Sequence, residues 1–262
     1  MNPESVKKRP DLSDWLAGKT ALITGGSRGI GAAIARALAN YGVGVWINYR
    51  ENDGAANEVL GQIRKAGGSA SLIRANLLDV NEIRAMFATV AESGSLDILI
   101  HNAALGSFKP VQNLRPNQWD LTLNVNARAF LLCAQEAARL MGSRGGRIIG
   151  ISSLGGSRVL PEYGAIGISK AALEAATRYL AVEMAAAGIR VNAVCGGLVD
   201  TESIRLHPHY RQLVTVAEAR TPAGRLGQPE DLAQIAIFLC TPLSDWLCGQ
   251  VIVADGGYSL LL

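Results

Sequence analysis

Short apolar runs recur along the chain, each but the last followed by a longer stretch whose apolar positions fall at helical spacing. The runs are Ala21–Thr24, Val43–Tyr49, Ser69–Ala75, Leu96–Ile100, Arg147–Ile151, Ile189–Val194 and Gln250–Ala254. Ala21–Thr24 is short and apolar, the right length for a strand covered on both faces. Between the runs, helices are predicted over 32–40, 55–66, 81–91, about 119–141, from the Tyr163–Lys170 segment to about 187, and over 229–239. Gly67-Gly68 supplies the stop for the second. Strands alternating with helices throughout predict a doubly wound parallel sheet in a single α/β domain. Residues 198–222 are polar and fit a lid over a site.

The length of 262 residues suits one domain with one large core. A net charge of +3 is too small to argue for nucleic acid or a membrane surface. The cysteines, at 133, 195, 240 and 248, form no CxxC pair and no metal-ligand spacing with the histidines, so no metal is expected. They read as reduced thiols. Residues 1–17 read as a flexible arm without an apolar signal core, leaving 18–262 as the domain. No stretch is long enough to cross a bilayer, and a cytoplasmic location is the expectation.

The first run leads at once into Gly25-Gly26-Ser27-Arg28-Gly29-Ile30-Gly31 and then a helix. Residues without Cβ let backbone N–H groups approach a pyrophosphate, and the helix N-terminus adds its dipole. This strand–loop–helix context reads as dinucleotide binding. Arg50 follows the second strand, where an adenosine ribose would lie, and Arg28 is a second cation on the same side. Guanidinium forks favour a 2′-phosphate, hence NADPH. Further strand ends carry Asn76-Leu77, Asn102-Ala103 and Cys195-Gly196-Gly197, where a cofactor crevice would form. His101 and Cys195 read as packing residues.

Together the motifs resemble the short-chain dehydrogenase/reductase family, from about residue 18 onward. The matches are the 24–31 loop, Asn102-Ala103-Ala104 (NNAG is usual), Asn126, Ser153, Lys170, Asn192-Ala193-Val194 and Asp255-Gly256-Gly257. The resemblance implies a Rossmann-type sheet of about seven strands and a homotetramer or dimer built through the long helices. It also implies cofactor contacts at Gly25, Ser27, Arg28, Gly29, Ile30, Gly31, Arg50, Asn76, Leu77, Asn102, Ala103, Lys170, Gly197 and Thr201.

Most members carry the catalytic tyrosine four residues before the lysine. Here that residue is Ile166, and Tyr163 lies seven before Lys170, nearly two helical turns away on the same face. Y-x6-K resembles the enoyl-acyl-carrier-protein and enoyl-CoA reductases of the family. In an enoyl thioester the hydride goes to C3 while charge develops on the thioester oxygen, so a displaced donor suits that substrate. The resemblance gives Tyr163 the role of donor and Lys170 that of ribose holder and neighbouring cation; for Ser153 two roles stand open, a substrate contact or a cap on the strand end. Arg205, Arg211 and Arg220, with His207 and His209, make the lid basic and able to steer an anionic acyl-carrier-protein or CoA thioester. A 3-oxoacyl or other carbonyl reductase, and a non-catalytic NADP(H)-binding protein, are the alternatives.

Overall fold

All seven apolar runs become strands of one parallel sheet in a computed structural model that describes residues 11–261. They are β1 Thr20–Thr24, β2 Gly44–Tyr49, β3 Ala70–Arg74, β4 Ile98–His101, β5 Gly146–Ser153, β6 Ile189–Gly196 and β7 Val251–Ala254, in the order β3-β2-β1-β4-β5-β6-β7. The helices are α1 Ser13–Leu16, α2 Gly29–Asn40, α3 Asp53–Lys65, α4 Val80–Glu92, α5 Pro116–Leu123, α6 Ala129–Met141, α7 Gly164–Met184, α8 Glu202–Arg205, α9 Tyr210–Arg220 and α10 Pro229–Leu239. Asn52 and Asp79 cap α3 and α4 by accepting from the Ala55 and Asn81 N–H groups at 2.9 and 2.7 Å. Gly67, at φ +83°, follows α3 where a left-handed residue ends a helix.

Strand side chains alternate between two cores, one on each face. Ile23 packs with Leu38 of α2 and Ile237 of α10; its neighbour Leu22 packs with Phe87 of α4 and Phe130 of α6. Each fully buried Leu or Ile contributes about 1.5–3 kcal/mol, which is why both faces had to read as apolar.

The chain winds outward from β1 to β3, then returns to pair β4 with β1's other side, Ile23 facing Ile47 on one flank and Ile100 on the other. This reversal opens a crevice at the carboxyl ends of β1 and β4.

The structure departs from the sequence expectations in three places. Residues 1–10 of the expected arm lie outside the described residues, but Ser13–Leu16 is helical and Leu16 is fully buried, so packed structure begins before residue 18. The single helix predicted over 119–141 is α5 and α6 joined by a π-helical turn at Asn124–Arg128. Tyr163 stands just outside α7 as its N-cap residue, not on the helix body.

Candidate active site

The glycine loop is fitted against β4. Gly25 and Gly29 have φ of +60° and +52°, where side chains are disfavoured. A Cβ on Gly25 would lie 2.8 Å from the Ala103 Cα, and one on Gly31 would lie 2.5 Å from the Asn102 Nδ2. Asn102 holds the loop from across the crevice: its Nδ2 donates to the Gly25 carbonyl at 2.8 Å, and its own N–H donates to the Thr24 Oγ1 at 3.1 Å. Gly31→Ala is therefore expected to push Asn102 off the loop. Overpacking of this kind costs about 1–3 kcal/mol, and a thermal melt with and without NADPH should show lower stability and a smaller cofactor-induced rise.

Of the other expected cofactor residues, Thr201, at the start of the lid, lies against this loop and would touch a Cβ placed on Gly29, at 3.4 Å. Gly197 lies so close to Asp255 that an added Cβ would meet that residue's Cβ at 2.8 Å. Asn76 closes its own turn, accepting from the Leu78 N–H at 3.1 Å, and Leu77 is buried. Arg28 and Arg50 are exposed; Arg28 lies 3.4 Å from Glu202 of α8, and the Arg50 Nε 2.9 Å from Glu51.

The catalytic candidates converge beside the crevice. Lys170 of α7 is 5% exposed, and its Nζ donates to the Ile151 carbonyl at 2.7 Å. Burial lowers its pKa to about 8, opposed by Cys195 and Glu174. Tyr163 is half-buried, and burial raises its phenol pKa; the Ser153 hydroxyl beside it favours the phenolate and opposes that rise. Ser153 ends β5, and its hydroxyl also accepts from the Gly155 N–H at 3.4 Å. Ile166 is 7% exposed and fills the position four residues before Lys170, against Gly106.

Asn126 explains the π turn. A fully buried amide must find partners, and this one donates to the Leu105 carbonyl at 2.9 Å and the Ser169 Oγ at 2.8 Å while accepting from the Leu105 N–H at 2.9 Å. His101 is buried under the same turn, its Nδ1 3.3 Å from the Thr24 Oγ1. Burial and the nearby Lys170 lower its pKa to about 3, so it stays neutral and packs against Phe130. Cys195 is also buried, with its thiol pushed up to about 12 chiefly by desolvation, which removes it as a nucleophile. Among the described residues no group of His, Cys, Asp or Glu could hold a metal ion, and no helix is long and apolar enough to cross a membrane.

Several supporting residues escaped the sequence reading. Asn48, buried in β2, donates to the Ala75 carbonyl at 3.1 Å and accepts from the Gly25 N–H at 3.4 Å, so it braces the glycine loop. Its signal was an amide inside an apolar run. Glu174, one turn beyond Lys170, is buried and accepts from the Ser152 hydroxyl at 2.6 Å. Its signal was a carboxylate one helical turn from Lys170. Glu162 and Phe108, beside Tyr163, carried none.

A parallel sheet with a glycine loop at its switch point, and a tyrosine and lysine beside it, defines a nucleotide-dependent oxidoreductase. The chain belongs to the short-chain dehydrogenase/reductase family. The family model described as enoyl-(acyl carrier protein) reductase matches residues 25–259. A 1-cyclohexenylcarbonyl-CoA reductase of Streptomyces collinus is 38% identical over 93% of this chain and 88% of its own. A hydroxynaphthalene reductase-like protein of Metarhizium majus is 35% identical over 92% and 95% respectively. Among solved structures, a protein assigned provisionally as an NAD(P)-dependent gluconate 5-dehydrogenase from Beutenbergia cavernae, with NADP bound at low occupancy, superposes with a TM-score of 0.88. It is 32% identical, and the match covers 94% of this chain and 98% of that one.

Proposed function

We propose that this oxidoreductase reduces the 2,3 double bond of a 2-enoyl thioester with NADPH. The observation that carries the reading is the exchange at the site's centre. Ile166, which has no proton to give, is packed on Gly106 where the usual tyrosine would stand, and the phenol is supplied by Tyr163 beside Ser153. The Streptomyces relative, named for an unsaturated acyl-CoA, supports the same class.

The glycine loop, Asn102, Thr201 and Lys170 would hold NADPH: Gly25 and Gly31 seat the loop directly against Ala103 and Asn102 at the start of α2, and a helix N-terminus of this kind suits a pyrophosphate. Bound there, NADPH would supply a hydride to C3 of the acyl group. Negative charge then develops on the thioester oxygen, two carbons away. Tyr163 donates a hydrogen bond to that oxygen, where the charge appears, and passes its proton to it; the resulting enol tautomerises with water, so that C2 gains the proton that completes the saturated thioester. Ser153 holds the phenol's position. Lys170, kept within reach by the Ile151 carbonyl, holds the ribose, and its positive charge favours the phenolate when Tyr163 gives up a proton. Arg28 and Arg50 would take the 2′-phosphate.

The carrier is an acyl carrier protein or CoA, in fatty-acid or polyketide-type metabolism. The protein acts in the cytoplasm as a homotetramer or dimer; α7 leaves Tyr179 and Val182 exposed for such an assembly. The test is NADPH oxidation with crotonyl-CoA against acetoacetyl-CoA. A higher kcat/KM for crotonyl-CoA is the expected result. Preference for acetoacetyl-CoA would establish carbonyl reduction instead, the reading that the hydroxynaphthalene reductase-like relative favours. Tight NADPH binding without turnover of either would mark a non-catalytic binder.

A further inference from the structure

The residue before Tyr163 is held in a conformation its side chain does not favour. Glu162 has φ +58°, the one non-glycine residue at positive φ among those described. Such a backbone persists only where its surroundings fix it. One side is fixed by Lys109, whose N–H donates to the Glu162 carbonyl at 2.8 Å. The other side is the lid.

His207 lies in the turn between α8 and α9. It is 6% exposed, although its neighbour Leu206 is 74% exposed. Its Nδ1 accepts from the His209 N–H at 3.1 Å, which places the ring proton on Nε2. The ring also lies against the backbone of Pro161, two residues before Tyr163. The ring stands edge-on to Phe108 with centroids 4.6 Å apart, and Phe108 lies 6.1 Å from the Tyr163 ring. The His209 Nε2 lies 3.8 Å from the Glu162 Oε2.

We propose that His207 is a positioning residue for Tyr163: the lid turn clamps the Pro161–Glu162 corner, so closing the lid and aiming the phenol are one event. The clamp requires neutral His207. A proton on Nδ1 would confront the His209 N–H, which already occupies that site. The titratable groups facing His207 are His209 on its own turn and Glu162 on the opposite corner, with Tyr163 beyond Phe108. Burial lowers the pKa of His207; the Pro161 backbone and Glu162 oppose that shift without overcoming it, so on balance closure favours the neutral ring. The sign follows: the clamp is complete above the ordinary histidine pKa and is lost as pH falls through the lowered value that His207 has in the folded protein.

The inference rests on Tyr163 as the donor of the proposed site, not on the substrate class. The test compares the parent enzyme with His207→Ala and His207→Gln; glutamine keeps an N–H donor near the reach of Nε2. Kinetics use whichever of crotonyl-CoA and acetoacetyl-CoA the parent reduces. A second readout uses no substrate: the tyrosinate absorbance of each protein minus that of its Tyr163→Phe counterpart reports the phenol's titration. Alanine is expected to lower kcat by roughly tenfold to a hundredfold, leave NADPH affinity unchanged, and bring the phenol titration down toward its ordinary value. Glutamine should restore most of kcat and of the raised phenol titration, and should lack the parent's acid-side fall in kcat. A change confined to KM, a phenol titration unmoved by alanine, or an acid limb that survives in the glutamine enzyme would each overturn the proposal.

Discussion

Tyr163→Phe is expected to lower kcat for crotonyl-CoA by roughly 10²–10³, the usual cost of removing one oxyanion donor. The ring and its packing against Phe108 remain, so the protein should fold and melt as the parent does. NADPH affinity should barely change, because the glycine loop and Lys170 are intact. Lys170→Ala gives the contrasting pattern, damaging cofactor binding and turnover together. Ile166→Tyr added to Tyr163→Phe returns a hydroxyl to the position nearer the lysine, but the pocket there is closed by Gly106. A tyrosine would have to displace that loop, so little rescue is expected. Near-parent kcat in Tyr163→Phe would reduce Tyr163 to a packed aromatic and remove the principal support for enoyl reduction.

The cofactor should be discriminated almost as strongly. Arg28 and Arg50 sit at the glycine loop and at the end of β2, and each faces a single exposed carboxylate, Glu202 or Glu51. Exposed pairs of that kind are worth about 0–1 kcal/mol, so they yield readily to a phosphate dianion. Charge-assisted bonds contribute about 1.5–3 kcal/mol each, and about 1.4 kcal/mol is tenfold. NADPH is therefore expected to exceed NADH in kcat/KM by one to several powers of ten. Arg50→Ala should cut that ratio by about tenfold or more while leaving the NADH kinetics alone. Equal use of both cofactors by the parent would refute the assignment of the 2′-phosphate to these arginines.

The sheet was legible in the sequence because a parallel strand covered on both faces has to be largely apolar, and the seven runs were, despite polar residues such as Asn48, Arg74, Arg190 and Asn192. The glycine loop was legible for a related reason: close backbone approach excludes side chains, and the added-Cβ clashes at Gly25 and Gly31 are the physical form of that rule. The π turn was not legible. Local sequence favours a continuous helix from 119 to 141, and the extra residue is accommodated because Asn126 finds Leu105 and Ser169, far away in the chain. The position of Tyr163 ahead of α7 was hidden in the same way. Nothing in Pro161-Glu162 announces a left-handed glutamate, since that backbone is imposed by Lys109 and the lid. Asn48 and Glu174 were visible as polar residues out of place, but their partners, Ala75, Gly25 and Ser152, could be found only in three dimensions.

The return of the chain to pair β4 against β1 also governs how the molecule is made. The Thr24 and His101 side chains that join these strands are 77 residues apart in sequence. Until His101 has been synthesised, β1 has only β2 beside it, and the glycine loop has no Asn102 to hold its carbonyls. A chain emerging from the ribosome thus carries an exposed apolar strand edge for as long as translation takes to span that interval. Pairings over such a distance are slow to form. Nascent chains stopped before residue 98 should fail to bind a nucleotide, and the interval before β4 emerges is when a chaperone would be needed most.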